Sequence, residues 1–340
     1  MRARRRPPPA FGPTGFTLVE LLVALVLGAG LVTTALTLYA RARAALQAAD
    51  HVAQLTEQAR YAFASIEADA QMAGYYGLGA GGADFRFLQS GDVAAASPAA
   101  ALRQSAPPLP GLNAAAQACG RQFALDLAVP VEASDDHYAA GVGASGTCDP
   151  RPSAAAGASD TLTLRRASTA TSALQAGRLQ LLADRFDRAR RFVLADGVLP
   201  PGTTLAADRL ELRDLVTRFY YVSADSDGMP GLPSLRVKAL SSVAGRPSFI
   251  DTEVMSGIED LQVELQTGGG YVAPDALPAG AVVRGLRLWL RVRAATPEAG
   301  YVDAHGYDYA GVHFVPPPAE RAYRRLLIGH AVALRNAPAP

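Results

Sequence analysis

The chain has 340 residues, of which 49% are apolar and 19% charged, and its formal net charge is +1. A chain of this size and composition can bury a substantial core, and its balanced charge gives no reason to expect a nucleic-acid partner. Stretches rich in alanine, glycine, serine and proline indicate surface insertions rather than core.

The N-terminus combines a basic leader with a long apolar run. Four of the first six residues are arginine, and between Phe16 and Tyr39 the only ionisable side chains are Glu20 and Tyr39 itself. A helix over this run would be roughly 36 Å long at about 1.5 Å per residue, which is enough to cross a bilayer. Because positive charge stays on the cytoplasmic side, residues 1–15 are predicted to be cytoplasmic and everything after Tyr39 to be exported.

Two ordinary interpretations explain part of this pattern. A secretory signal has a shorter apolar core and a small-residue cleavage site, for which Ala40-Arg41-Ala42 is a poor, charged substitute. A simple membrane anchor explains the length and the arginines. It leaves unexplained why Glu20 stands inside the span, where a carboxylate is costly and by default functional.

The stretch Gly15-Phe16-Thr17-Leu18-Val19-Glu20 resembles the type III signal of type IV prepilins and pseudopilins. The resemblance implies that a membrane-embedded prepilin peptidase cuts between Gly15 and Phe16 and methylates the new amino group of Phe16. The apolar helix, 16–39, would then remain in the mature chain. Loss of residues 1–15 removes four arginines and no acids, which leaves 28 basic and 31 acidic residues.

Glu20 has a physical role in such a chain. The new amine of Phe16 and the carboxylate of Glu20 are each costly to hold unpaired in lipid or in a helix bundle. Pairing Glu20 with the opposite charge of a neighbouring subunit would compensate both and fix the height at which subunits dock, as single buried polar groups fix coiled-coil register. The alternative is that Glu20 merely reaches the lipid headgroups.

The helical period continues beyond the anchor through residues 40–75. Apolar residues recur every three or four positions and no proline interrupts the run from Phe16 to Tyr75. We predict a single helix of roughly 80–90 Å, whose second half, 40–75, is amphipathic and packs on a sheet. Gly74 and the glycine-rich segment Gly77–Gly82 are predicted to end the helix. Because that segment follows a helix rather than a strand, it indicates an exit loop and not a phosphate-binding loop.

Residues 76–160 form an Ala/Gly/Pro-rich variable region. It contains both cysteines, Cys119 and Cys148, on the exported side, where thiols oxidise. We predict a structural disulfide between them. A metal or redox role lacks support because no C-x-x-C motif and no histidine at ligand spacing accompanies either cysteine.

Alternation typical of strands begins at Thr161 and continues to the C-terminus, so that residues 161–340 are predicted to form an antiparallel sheet region. In the clearest case, Val282–Val292, leucines alternate with arginines and a tryptophan, which predicts one buried face. The other predicted strands are Thr161–Arg165, Leu179–Leu182, Arg191–Ala195, Leu210–Val222, Ser234–Leu240, Glu253–Leu265 and Arg324–Leu334. The fold class is therefore α+β, with a long N-terminal helix packed on a C-terminal antiparallel sheet.

Four further blocks, Ala68–Tyr75, Ser159–Leu164, Ser256–Val263 and Tyr323–Asn336, resemble minor pilins of the PilW family of type IV pili. The resemblance implies a pilin-like fold and a single-pass inner-membrane precursor with a periplasmic domain. It also implies incorporation into the pilus or its tip and a role in pilus assembly and priming that supports twitching motility, adhesion or DNA uptake. The implied partners are prepilin peptidase, other minor pilins, the major pilin and a tip adhesin. No cofactor is implied.

A J-type pseudopilin of type II secretion is the alternative within the same superfamily. A membrane-anchored periplasmic enzyme is the alternative from another class. No nucleophile elbow, P-loop or zincin helix is identifiable in the sequence, so we expect no enzymatic activity.

Two polar segments could in principle bind an ion. Asp225-Ser226-Asp227-Gly228 resembles part of a calcium loop, which makes Asp225 and Asp227 calcium candidates. The positions where further ligands are required hold serines, so a hairpin turn is favoured and no metal site is predicted. In the segment Tyr301–Phe314, we expect Asp303, His305, Asp308 and His313 to be surface residues, with metal binding by the histidines as the alternative. The tyrosines of this segment could instead form an aromatic interface patch.

Overall fold

The computed structural model describes residues 15, 17–78, 81–89, 92–98, 123–140, 148–205 and 209–337. By its internal contacts the chain forms two units, one up to Val52 and one from Ala53 onward. The fold class is α+β, as predicted: one long N-terminal helix together with several sheets that are mainly antiparallel.

The helix, α1, spans Leu18–Ala70 and has 53 residues, or about 80 Å at the usual rise. Up to Val52 its large apolar side chains are exposed, and this part is long and apolar enough to cross a membrane. From Leu55 onward every third or fourth side chain is buried. The predicted single helix is therefore confirmed. Its apolar contact surface begins at Leu55, so only the later part of the predicted amphipathic half, 40–75, packs on a sheet; Leu46 is 68% exposed.

The helix ends just before the glycines that were predicted to terminate it. A turn follows Ala70, and Gly74 has φ +78, a left-handed conformation that glycine adopts without strain. The backbone N–H of Gly74 donates to the carbonyl oxygen of Arg165 at 3.0 Å, which ties the helix exit to a strand.

Fifteen strands lie in the described residues. They are β1 Arg86–Gln89, β2 Asp92–Pro98, β3 Val131–Ser134, β4 Thr161–Ala167, β5 Gln180–Asp184, β6 Arg191–Leu194, β7 Leu210–Ser223, β8 Ser234–Val243, β9 Arg246–Ser256, β10 Ile258–Thr267, β11 Gly270–Val272, β12 Gly285–Arg293, β13 Tyr307–Tyr309, β14 Val312–Phe314 and β15 Arg325–Ala333. Short 3₁₀ turns occur at Gly82–Asp84, Phe123–Leu125, Arg188–Arg190, Pro274–Ala276 and Pro318–Glu320.

The strands form three sheets. The largest has the order β2-β1-β6-β5-β7-β4-β3, with β8 added to β7 and β9 to β8. A second sheet has the order β11-β10-β12-β15, and β13 and β14 form a hairpin. All described pairs are antiparallel except β1 with β6, which is parallel. Strands β1 to β3 lie within the region, 76–160, whose sequence showed no strand pattern.

The second sheet buries one face against the helix. Leu286, Leu288 and Leu290 of β12 are fully buried, and they share a core with Ala59, Ala62 and Ile66 of α1 together with residues of β4, β7 and β8. A separate aromatic core lies on the largest sheet and includes Phe123, Phe219 and Tyr221. The predicted arrangement of a helix on an antiparallel sheet is thus present, with the helix packed across strands of both sheets.

One predicted strand is wrong in its extent. Glu253–Leu265 is two strands, β9 and β10, separated by Gly257, whose φ is +80. An added Cβ at Gly257 would approach the carbonyl oxygen of Arg293 to 2.7 Å. The chain therefore leaves one sheet and enters the other at a residue that has to be glycine, inside a pattern that alternates without visible interruption.

Candidate functional site at the start of the helix

The first turn of α1 carries the predicted processing and assembly residues. Gly15, Thr17 and Glu20 lie in the described part, and Phe16 lies outside it. The Thr17 carbonyl oxygen accepts the first helical hydrogen bond, from the N–H of Leu21 at 3.1 Å. Thr17 is therefore the N-cap residue of the helix, and Glu20 is the third residue after it.

Thr17 and Glu20 form a capping box. The N–H of Glu20 donates to Thr17 Oγ1 at 3.3 Å, and the N–H of Thr17 donates in return to Glu20 Oε2 at 3.0 Å. The Thr17 hydroxyl also donates to Glu20 Oε2 at 3.0 Å. This reciprocal arrangement satisfies two backbone donors that a helix start otherwise leaves unpaired.

The capping box is a feature that our sequence interpretation missed, although its signal is present. Threonine followed three residues later by glutamate, directly before an apolar run, is the usual capping-box pattern. Glu20 consequently has an intramolecular role that needs no neighbouring subunit. An intersubunit role has to be separated from it experimentally.

The three threonines in the later part of the predicted span form hydrogen bonds within the helix. Thr33 Oγ1 donates to the Ala29 carbonyl oxygen at 2.9 Å, and Thr34 Oγ1 to that of Gly30 at 2.8 Å. Thr37 bonds to the carbonyl oxygen of Thr34 in the same way. Such bonds remove the cost of placing hydroxyls in an apolar medium. Glu20 is thus the one carboxylate on an otherwise apolar, internally satisfied helix surface between Leu18 and Leu38.

The predicted disulfide involves one described cysteine. Cys148 is completely buried and belongs to the aromatic core. Cys119 lies outside the described residues, so the pairing stays a prediction.

The calcium candidates are engaged in other contacts. Asp225 Oδ1 accepts from the N–H of Gly231 at 2.6 Å, which closes the loop between β7 and β8. Asp227 Oδ1 lies 2.9 Å from Arg236 Nη1, and the N–H of Asp227 donates to Glu253 Oε2 at 2.7 Å. These contacts are those of a β-turn held by an ion pair.

The histidines and tyrosines of Tyr301–Phe314 are also accounted for by structural contacts. Tyr309 is 5% exposed, and its hydroxyl bonds to the buried Asp260. Asp303, which was expected at the surface, is completely buried and accepts a hydrogen bond from the Tyr307 hydroxyl at 2.9 Å. Exposed His313 pairs with exposed Asp308 at 2.5 Å. Since Tyr309 is buried, the three tyrosines do not form a common exposed patch.

Within the described residues, one group of acidic side chains is compact enough to hold a cation. It consists of Asp135, Asp136 and Asp160. Asp160 Oδ1 accepts from the N–H of Asp136 at 2.8 Å, and Asp160 Oδ2 from that of Val263 at 2.7 Å. The second bond joins the residue before β4 to β10, so the position of Asp160 is explained by its role as a link between the two large sheets.

A buried ion network covers the outer face of the second sheet, and our sequence interpretation did not anticipate it. Glu259 accepts from Arg291 at 3.0 Å and from Arg325 at 2.9 Å, and Arg325 is also 2.9 Å from Glu320. The guanidinium of Arg291 lies 3.6 Å from the ring centre of Phe314, which belongs to β14. Arg291 and Arg293 of β12 therefore point to a covered polar layer, whereas the side chain of Arg287 is 36% exposed.

No family model matches this sequence, and no curated protein matches it at a significant level. Among solved structures, the type IV-like pilin TTHA1219 from Thermus thermophilus is similar to this chain, with 15% identity and a TM-score of 0.29. The alignment covers 52% of this chain and 79% of that pilin. At this level of likeness, function has to be argued from the residues themselves.

Proposed function

We propose that this chain is a pilin-like subunit of a type IV filament, anchored in the inner membrane by α1 and processed between Gly15 and Phe16. The observation that carries the proposal is the start of the helix. A peptidase-type signal runs directly into a long helix whose exposed, apolar part, Leu18–Leu38, carries one carboxylate, that of Glu20 in the first turn.

The proposed mechanism is association rather than catalysis. After cleavage, Phe16 carries a methylated cationic amine one turn from Glu20. A helix of this kind can leave the bilayer only if an equally apolar surface replaces the lipid, and a bundle of like helices provides one. In that bundle Glu20 pairs with the amine of a neighbour and sets the docking height.

The finer role follows the PilW resemblance: a minor pilin that primes assembly together with other minor pilins and the major pilin. It lies at or near the tip, beneath an adhesin, with its C-terminal domain in the periplasm before assembly. Twitching motility, adhesion or DNA uptake would then depend on it.

Two variants separate the intersubunit role of Glu20 from capping. Glu20→Gln keeps the box, because glutamine also accepts at this position, but removes the charge. Thr17→Val removes the hydroxyl that caps the N–H of Glu20 and keeps the charge of Glu20. The loss of the cap should lower the stability of the helix by about 0.5–2 kcal/mol. Both should be cleaved normally.

The readout is the amount of each variant in sheared surface filaments relative to its amount in membranes. We expect Glu20→Gln to be depleted from the filaments and Thr17→Val to enter them nearly as the parent does. Depletion of Thr17→Val alone would mean that Glu20 acts through the cap, and equal depletion of both variants would mean that incorporation needs the cap as well as the charge. Normal entry of Glu20→Gln would remove the counter-charge role.

A further inference from the structure

The chain contains a single lysine, Lys238, and all its other cationic side chains apart from histidine are arginines. A lysine is normally found at the surface, but Lys238 is completely buried. It lies on β8 directly opposite Asp251 of β9. Cross-strand partners of this kind share one face of the sheet and have closely spaced Cβ atoms.

The two side chains are in contact and shielded from solvent. Lys238 Nζ is 2.5 Å from Asp251 Oδ2, and the side chains are 1% and 6% exposed. Nζ also donates to the carbonyl oxygen of Asp149 at 2.8 Å and lies 5.4 Å from the centre of the Tyr221 ring. Burial lowers the pKa of Lys238, so its neutral amine is easier to reach than that of an exposed lysine.

Two further groups hold the carboxylate. The Tyr221 hydroxyl donates to Asp251 Oδ2 at 2.7 Å, the same oxygen that contacts the lysine. Arg236 Nε donates to the other oxygen, Asp251 Oδ1, at 2.7 Å. A cation aimed at one carboxyl oxygen and a hydroxyl aimed at the other is an arrangement suited to acyl transfer.

We propose that Lys238 and Asp251 condense to an intramolecular isopeptide bond that joins β8 to β9. The ammonium passes one proton to Oδ2, and the neutral Nζ then attacks Cγ. The negative charge that develops on Oδ1 is stabilised by Arg236, as in an oxyanion hole.

The bond exchange is balanced without any co-reactant. The Nζ–Cγ bond forms and the Cγ–Oδ2 bond breaks. A second proton from Nζ reaches Oδ2 through the Tyr221 hydroxyl, and Oδ2 leaves as water. The third hydrogen stays on the amide nitrogen and donates to the carbonyl oxygen of Asp149.

Charge balance favours the product. The reaction removes one buried cation and one buried anion, which are expensive to keep out of water. Arg236 is left with two other acids, Asp227 at 2.9 Å and Glu253 at 3.4 Å. The cross-link would therefore neutralise the buried pair without leaving Arg236 uncompensated.

The single lysine makes the test direct. Full-length protein is extracted from membranes, denatured, reduced and digested with endoproteinase Lys-C, which cuts after lysine with a free side chain. We expect the chain to stay uncut and, in a separate tryptic digest, the peptide that carries both residues to be lighter than its sequence by one water. Cleavage at Lys238 in the bulk of the protein would overturn the proposal, as would an uncut chain whose mass is not lowered.

Two variants complete the experiment. Asp251→Ala should be cut at Lys238, which shows that the protease reaches this site; because the digest is made in denaturant, the variant need not fold. Tyr221→Phe keeps the ring and removes the relay, so a large fraction of that variant should be cut. Complete cross-linking of Tyr221→Phe would refute the proton relay.

Discussion

The buried carboxyl group of Asp160 links the two large sheets. The replacement Asp160→Asn tests whether this group makes the stability of the fold depend on pH. Asp160 is 1% exposed and accepts hydrogen bonds from two backbone N–H groups. Burial raises the pKa of Asp160 to about 7, against the lowering effect of these two bonds, and the nearby charges of Asp135 and Asp136 raise it further.

The sign of the effect follows from proton binding. An aspartate in the unfolded chain releases its proton near pH 3.9, whereas the folded chain holds it until about pH 7. The contribution of Asp160 to stability is therefore complete below about pH 4 and is lost as the pH rises to about 7. At about 1.4 kcal/mol per pH unit, the loss across this window amounts to at most about 4 kcal/mol.

The asparagine side chain of the variant has nearly the same shape as aspartate and does not titrate, so the difference between parent and variant isolates this group. We would measure urea unfolding of both full-length proteins in detergent at intervals from pH 4 to pH 8, with Asp50→Asn, an exposed acid on α1, as the control. The stability of the parent relative to Asp160→Asn should fall with rising pH and level off above pH 7. A difference that is independent of pH would show that the two N–H bonds cancel the effect of burial, and one that grows with pH would show that they outweigh it; either result would refute the reasoning.

Three further substitutions test the packing. Asp69→Ala should lower the free energy of unfolding by about 3–5 kcal/mol, because it leaves the partly buried Arg166 and the buried Tyr220 without the carboxylate that lies 2.7 Å and 2.8 Å from them; a loss below about 1 kcal/mol would contradict this. Gly257→Ala should destabilise by more than about 1 kcal/mol, through its positive φ and a clash with a backbone carbonyl, and an unchanged Tm would argue against it. Cys119→Ser should lower the free energy of unfolding by about 3–4 kcal/mol if a disulfide joins Cys119 to Cys148. An unchanged unfolding midpoint together with two titratable thiols in the parent would show that this disulfide is absent.

The sequence was informative wherever one periodicity ran without interruption. The apolar and amphipathic periods of α1 and the alternation of Leu286, Leu288 and Leu290 in β12 determined the type and approximate bounds of those elements. In both, burial of one face is a local property that can be read from spacing alone.

The features that could not be predicted from the sequence depend mostly on contacts between residues that are distant along the chain. Strand β2 contains three successive alanines, which have low strand propensity, and β1 pairs with β6, more than a hundred residues away. The turn at Gly257 interrupts a continuous strand pattern. At the helix start, the sequence located Glu20 but not the bond it makes to Thr17, although the capping-box spacing was visible.

The most direct test of the proposed function is the intact mass and N-terminal sequence of the native protein extracted from membranes. A subunit processed as proposed begins at N-methyl-Phe16 and retains the whole of α1. A mature chain that still begins at Met1, or one cut near Ala42, would contradict processing between Gly15 and Phe16 and would remove the basis for a counter-charge at Glu20.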